Sequence, residues 1–401
     1  MNNDMLDFDT ALATLIAKAR PLYEMEMADT LVAAGRVLAS GVTSPIAVPA
    51  LDTSAMDGYA LRVADVPAPG ACLPVSQRIP AGSVGHALQP GTAARIFTGA
   101  PLPAGADAVV MQELCEHRGE SVVINHLPQP GDAVRRAGSE LGLGATILEA
   151  GTRLRPQEIG LAASVGLAQL PVWRRMRVAL FSTGDELVMP GEALPPGAVY
   201  NSNRFQLRAL LQQLGCEVSD FGIVPDRLDA TRAVLREAAQ GHDLILTSGG
   251  VSVGEEDHVK PAVDAEGALE MWKIAMKPGK PLAYGRVGAA AFIGLPGNPV
   301  SSFVTFLLMV RPFILATQGV RQVTPRALSL RADFDWTRPD RRREFLRART
   351  NETGGVELHA HQGAAALSSI VWADGLVDVP AATPIGRGQM VRFLPYGELL
   401  Y

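Results

Sequence analysis

The sequence predicts a multidomain protein in which an α/β domain with a mainly parallel sheet stands beside β-rich modules and a small helical one. Three observations predict this. Between about 174 and 322, β-favouring segments alternate with helix-length ones, the pattern of βαβ units. From 46 to 145, short β-favouring pieces such as "AARIF", "DAVVMQ" and "SVVIN" alternate with the Pro/Gly turns "PAPG", "PLPAG" and "LPQPG". After about Gln322 a β texture returns, with "ALSLRADF", "REFLRART", "GVELHAH" and "QMVRFL". A chain of 401 residues is also too long for one core and points to two to four domains.

The first helix follows from Phe8, Ala11, Leu12, Leu15 and Ile16, which recur at i, i+3, i+4, i+7 and i+8, with Asp7 as its cap. A second helix is expected from about Ala28 to Ala34, ended by Gly35. Helical signal returns at "RPQEIGLAASVG", where Pro156 suits a first turn. These helical pieces belong together if the β module interrupts one domain. The expected divisions are 7–45 with 146–173, then 46–145, 174–322 and 323–401. Within the third, the strand "RVALFS" leads to "TGDEL", and a helix over Asn203–Leu214 is capped by Asn203 and stopped by Gly215. Next come "EVSDFGIV", a helix over Asp229–Ala239, "DLILT", a short helix after Asp257, "LAYGRV", "AAFIGL" and a long apolar helix from near Asn298.

Composition excludes several classes. Apolar residues are 47% and charged ones 19%, which suits a folded chain rather than a disordered one. A net charge of −5 argues against a nucleic-acid binder, which needs a basic face. Cys72, Cys115 and Cys216 show no C-x-x-C spacing and read as reduced core thiols. The start "MNNDMLDFDT" lacks an apolar stretch of the secretory kind, and the run "FVTFLLMV" is far short of the ~20 residues that span a bilayer. A cytoplasmic location with no membrane partner is expected.

Chemistry collects in the loops after the α/β strands, where parallel sheets place ligands. "STGDEL" carries Asp185 and Glu186, "VPD" carries Asp226, and "TSGGVSVGEED" carries Ser248, Gly249, Gly250 and Asp257. "GLPGNPVS" opens the last helix, and "WKIAMKPGKPLAYG" brings Lys273, Lys277 and Lys280. Gly249 and Gly250 let main-chain N–H groups approach an anion. Asn298 is placed to cap a helix whose N-terminus favours phosphate. Glu186, Asp226 and Asp257 are hard oxygen ligands suited to Mg²⁺. Taken singly, each segment has a plainer account as a turn, a helix entry or a solvated loop. Their meeting at one sheet end favours a metal-assisted site for a phosphorylated substrate. No Walker A pattern and no G-x-G-x-x-G after a strand is present.

These residues carry a specific resemblance. "TSAMDGYA", "RIFTGAPLPAGADAVV", "FSTGDEL", "YNSNRF", "SGGVSVGEED", "KPGKP" and "GLPGNPVSS" resemble, in this order and spacing, the molybdopterin molybdenumtransferase family of MoeA proteins and the gephyrin E domain. The likeness runs from about residue 7 to the C-terminus. It implies a helical linker domain, an inserted β domain, a MogA-like three-layer α/β domain and a C-terminal β-barrel-like domain, in an elongated homodimer whose sites are shared between subunits. It also implies the reaction of adenylylated molybdopterin with molybdate to give molybdenum cofactor and AMP, aided by Mg²⁺. The adenylylating partner enzyme and apo-molybdoenzymes are further implied partners.

By the same resemblance, Asp57 and Thr98 match functional positions, Asp57 reaching the partner subunit's site. Glu186, Asp226, Asp257, Lys273 and Lys277 match the main acidic and basic positions. Lys280, Ser248, Gly249, Gly250, Pro296 and Pro299 match pocket walls, and Ser301 is a molybdate-side donor. "RRREFLRA" resembles a stretch supplying an arginine near molybdate, which leaves Arg343 and Arg347 as alternatives. Departures are Thr53 for Asn, Arg227 after Asp226, Ser139–Glu140 for a Glu–Asp pair, and Ala364 where a Ser often lies. Two other functions fit the same fold, adenylylation of molybdopterin by ATP and a gephyrin-like scaffold. The two β domains favour the transferase, because the adenylylating relatives are essentially the α/β domain alone.

Overall fold

The computed structural model describes residues 5–251 and 258–400. Helix α1 (Phe8–Ala17) forms as its apolar spacing predicts, and Asp7 caps it by accepting from the N–H groups of Asp9 and Thr10. The expected helix at 28–34 is absent. Met25–Asp29 is instead a strand paired antiparallel with Gln169–Trp173, followed by a single 3₁₀ turn over Thr30–Val32. The physical reason is competition. Asp29 caps a turn that Gly35 soon ends, too short for a stable α-helix, while the strand finds a full ladder of partners. Helix α2 (Pro156–Ser164) follows with Pro156 in its first turn, and its Ala162 packs with Leu38, Val42, Leu154 and Val172 in a small core.

Six strands between Gly58 and Ile124 build the inserted β sheet, with Gly58–Leu61 and Ala93–Ile96 near its centre. Gly58 is required there, because a Cβ would lie 2.0 Å from the Val110 carbonyl oxygen.

The α/β domain has strands β1 (Arg177–Thr183), β2 (Glu217–Val224), β3 (Leu244–Ser248), β4 (Gly267–Lys273), β5 (Pro281–Val287) and β6 (Ala290–Leu295), in the order β2-β1-β3-β6-β5-β4. The first four in that order are mutually parallel, and β5 is antiparallel to both its neighbours. Alternation along β1 shows the three layers. Val178 and Leu180 face one core with α1 and α3 (Ser202–Gln213), while Ala179 and Phe181 face the other with α4 (Leu228–Ala238) and α5 (Val259–Glu266). The apolar helix runs Pro299–Thr317, as α6 (Pro299–Thr305), one π-helical stretch and α7 (Arg311–Thr317). It is long and apolar enough to cross a membrane, yet its most apolar window is 94% buried within the fold. It is a core helix.

In the C-terminal region Leu328–Ala332, Arg343–Thr350, Gly355–Leu358, Gly375–Val379 and Met390–Pro395 close on themselves through pairing of Arg343–Thr350 with Gly375–Val379, a five-stranded barrel. One further expectation needs correcting. Cys72 is exposed and Cys115 half-buried, leaving Cys216 as the core thiol, pushed up to about 12 by burial.

Candidate functional site

A polar cleft of about 580 Å³ opens at the carboxyl ends of β1, β3 and β6. Part of its wall is the Gly249–Gly250 turn that follows β3, with Gly249 lining the cleft. Gly249 has φ +92°, and a Cβ there would stand 2.6 Å from the Thr183 carbonyl oxygen. Gly250, at φ +63°, has Val259 Cγ2 2.5 Å from the same virtual atom. Only glycine lets the β1 and β3 ends approach this closely. Glu186, Ser248, Gly249 and Pro299 line the cleft.

Asp226, in the loop after β2, is tied to this group. Its backbone N–H donates to Asp185 Oδ1 at 3.1 Å. Burial pushes its carboxyl above the usual range, and the charges of Asp185 and Glu186 push further the same way. That uncompensated negative charge suits a hard divalent cation, and Mg²⁺ keeps several waters and needs only one or two carboxylates. Among the described residues no three carboxylate, histidine or cysteine side chains cluster closely enough to hold a metal by protein ligands alone. Asp257, with its neighbours Glu255 and Glu256, lies outside the described residues.

The lysines come from the hairpin between β4 and β5. Because β4 runs parallel to β1, this hairpin emerges at the same sheet end as Thr183 and Ser248. Lys273 and Lys280 are exposed at its base, where the Ile274 N–H donates to the Lys280 carbonyl at 2.9 Å. Lys277 at its tip meets Glu344 at 3.0 Å and Asp340 at 3.5 Å, joining the hairpin to the barrel. None of the three lines the cleft itself.

Pro296 is buried behind the cleft, and Ser301 is buried on α6. Asn298 occupies the cap position of α6 without a side-chain capping bond. The Val300 N–H donates to the Ala364 carbonyl at 3.0 Å, which brings the 361–366 loop against α6, with Ala365 in the cleft wall. Beneath that loop lies Arg347, 1% exposed, donating to Ser369 Oγ, Phe345 O and Gly363 O. Burial lowers its pKa to about 10, and no carboxylate pairs with it among the described residues. Arg343, by contrast, is held by Asp378 through two bonds and by Asp9.

Asp57 and Thr98 meet each other on the inserted β sheet and do not line the cleft of their own chain. Sequence reasoning missed Thr183 and Asn201, and gave Asn203 another role. Asn201, not Asn203, caps α3 by accepting from the Arg204 N–H at 3.1 Å, and both amides line the cleft. The available signal was the N-x-N spacing in "YNSNRF", which straddles the helix start at a strand-to-helix turn.

A mainly parallel sheet with neighbouring carboxylates, and lysines on a hairpin at the same end, defines an α/β domain with a polar cleft at its carboxyl edge, within a larger multidomain chain. Comparison with known proteins is specific. The MoeA N-terminal region (domain I and II) matches residues 6–166, a probable molybdopterin binding domain matches 179–316, and the MoeA C-terminal region (domain IV) matches 329–396. A molybdopterin molybdenumtransferase of Haemophilus influenzae is 37% identical over 99% of this chain and 100% of its own. Molybdopterin molybdenumtransferase 2 of Mycobacterium tuberculosis is 39% identical over 87% of this chain and 89% of its own. A solved molybdopterin biosynthesis MoeA protein from Pyrococcus horikoshii is 26% identical, with a TM-score of 0.84 over 98% of this chain and 100% of that one. The chain belongs to the MoeA family.

Proposed function

We propose that the protein is a molybdopterin molybdenumtransferase that inserts molybdenum from molybdate into adenylylated molybdopterin and releases AMP. The observation that carries this is the end-to-end likeness to relatives bearing that name, including the inserted β sheet and the barrel that the α/β domain alone would not need.

In this reading the phosphoanhydride of the substrate lies over the turn at Gly249 and Gly250, where no side chain blocks its approach. Lys273 and Lys280 attract the anion from the neighbouring hairpin, Lys277 does so only by exchanging its pairing with Glu344 and Asp340, and Pro296 and Pro299 keep the cleft wall rigid. Glu186 and Asp226, with Asp257, would hold Mg²⁺, which neutralises phosphoryl charge when bound. The raised Asp226 carboxyl supports this, because a cation relieves the repulsion that raises it.

Ser301 and Arg347 serve the molybdate side. Arg347 is favoured over Arg343 because Arg343 is already neutralised by Asp378 and Asp9. Asp57 and Thr98 complete the site of the partner subunit in a cytoplasmic homodimer. The test is direct. Protein, adenylylated molybdopterin, Mg²⁺ and molybdate should yield AMP in proportion to cofactor formed; AMP at background level rejects the reading.

A further inference from the structure

Three side chains at the cleft floor are buried polar groups with hydrogen-bonding atoms left over. Asn201 is 1% exposed, Thr183 4% and Asn203 8%. Among the described residues, Asn201 Nδ2, Asn203 Oδ1 and Thr183 Oγ1 have no partner. Buried polar atoms of this kind are uncommon and call for a ligand or ordered water.

The orientation of each amide is fixed by the bond its other end makes. Asn201 Oδ1 accepts from the Arg204 N–H at 3.1 Å, so its unpaired atom is the Nδ2 donor. Asn203 Nδ2 donates to the Gly297 carbonyl at 2.8 Å, so its unpaired atom is the Oδ1 acceptor. The first turn of α3 thus presents one donor and one acceptor, neutral and two residues apart, with the Thr183 hydroxyl able to play either part. This is a poor arrangement for phosphate, because Oδ1 would face an anion. It suits the edge of a flat heterocycle on which an acceptor adjoins an N–H.

We propose that Asn201 and Asn203 are the specificity pair that reads such an edge of the substrate. Asn201 donates to the ring acceptor and Asn203 accepts from the adjoining N–H. The proposal rests on the molybdopterin reading above, whose substrate offers such edges on two ring systems. One is the pterin, through its lactam or its N1 and 2-amino group, and the other is adenine, through its 6-amino group and a neighbouring ring nitrogen.

The variants are chosen to keep the fold. Asn201→Asp retains an oxygen to cap α3, since Asp caps as well as Asn, but turns the donor into an acceptor. Asn203→Ala removes the other member, leaving the exposed Gly297 carbonyl to water. The probes are pterin-6-carboxylate and AMP, titrated separately into the full-length protein. Either variant should weaken one probe about tenfold or more and leave the other within about twofold. Loss for pterin-6-carboxylate assigns the pair to the pterin, and loss for AMP assigns it to the adenine. Both probes unchanged, both weakened equally, or neither bound by the wild-type protein would each overturn the proposal. AMP formation by the wild-type protein is measured alongside. If AMP forms while the variants bind normally, the pair fails and the transferase reading stands; if selective loss appears without AMP formation, the transferase reading fails instead.

Discussion

Thr98 donates both its backbone N–H and its hydroxyl to one oxygen of Asp57, at 2.8 and 2.7 Å. These bonds, the backbone one foremost, hold the Asp57 carboxyl below its usual range. The carboxylate is therefore ionised and aimed, with its second oxygen free on an exposed loop. Those two bonds contribute modest stability at a partly exposed position, and they also fix the carboxylate in an orientation that suits a reacting partner.

Asp57→Ala is expected to lower AMP formation by about 10²-fold or more while leaving the melting temperature little changed. Thr98→Val, which removes the hydroxyl bond and keeps the N–H bond, should give a smaller loss. Equal loss in both variants would mean that the hydroxyl acts on the substrate itself. Mixing Asp57→Ala with a variant defective at Glu186 should restore part of the activity, because one hybrid site would then carry both residues.

Asp226 makes the opposite case, a carboxyl raised by burial and by two acidic neighbours. Asp226→Asn removes one of three crowded charges, so the metal-free protein should melt at the same temperature or slightly higher. Added Mg²⁺ should raise the melting temperature of the wild-type protein and not of the variant. A raised folded pKa means that the carboxyl takes up its proton sooner as pH falls, so the Mg²⁺-induced shift should fade on acidification before ordinary carboxylates titrate. Calorimetry with and without Mg²⁺ between pH 4 and pH 8 reads all three.

Much of this was legible in the sequence, for reasons that differ by element. β1, β3 and β6 are continuous apolar runs closed by glycine, and parallel strands buried on both faces leave that mark. The strand at Met25–Asp29 left none, because only Ala28 of its five residues is buried and its partner lies about 140 residues away at Gln169–Trp173. The cap of α3 shows the same limit at finer scale. Asn201 and Asn203 both suit a cap, and only the backbone turn decides that Asn201 takes the role while Asn203 bonds to Gly297. Arg347 and Arg343 could not be told apart on sequence, since four residues on one strand place both side chains on the same face and only their neighbours differ.

Arg347 carries the third prediction. A buried cation without a carboxylate is costly, and replacing such a charge by an apolar side chain of similar volume is often neutral or stabilising. Arg347→Met should therefore fold, with stability within about 1 kcal/mol of wild type or above it. If the guanidinium serves molybdate, the KM for molybdate should rise about tenfold or more while AMP binding is unchanged. A variant with ordinary molybdate dependence would return Arg347 to a purely structural role.

The last prediction concerns the opposite end of the sheet. Asp243 receives Arg174 through two bonds of 2.8 Å and the Arg177 N–H at 2.8 Å, clamping the starts of β1 and β3. Burial alone would push its carboxyl up, but the Arg174 and Arg177 bonds outweigh it and leave the carboxyl below its usual range. A carboxyl depressed by folding stabilises fully above its unfolded value of about 3.9 and loses that stabilisation as pH falls through the folded pKa. Asp243→Asn should thus cost about 3 kcal/mol at neutral pH, since it leaves the half-buried Arg174 without its main counter-charge. The gap between variant and wild type should then close as pH falls below about 4. Urea unfolding followed from pH 7 to pH 2.5 measures the gap, and a difference that stays constant throughout would show that packing, not the ion pair, holds this corner.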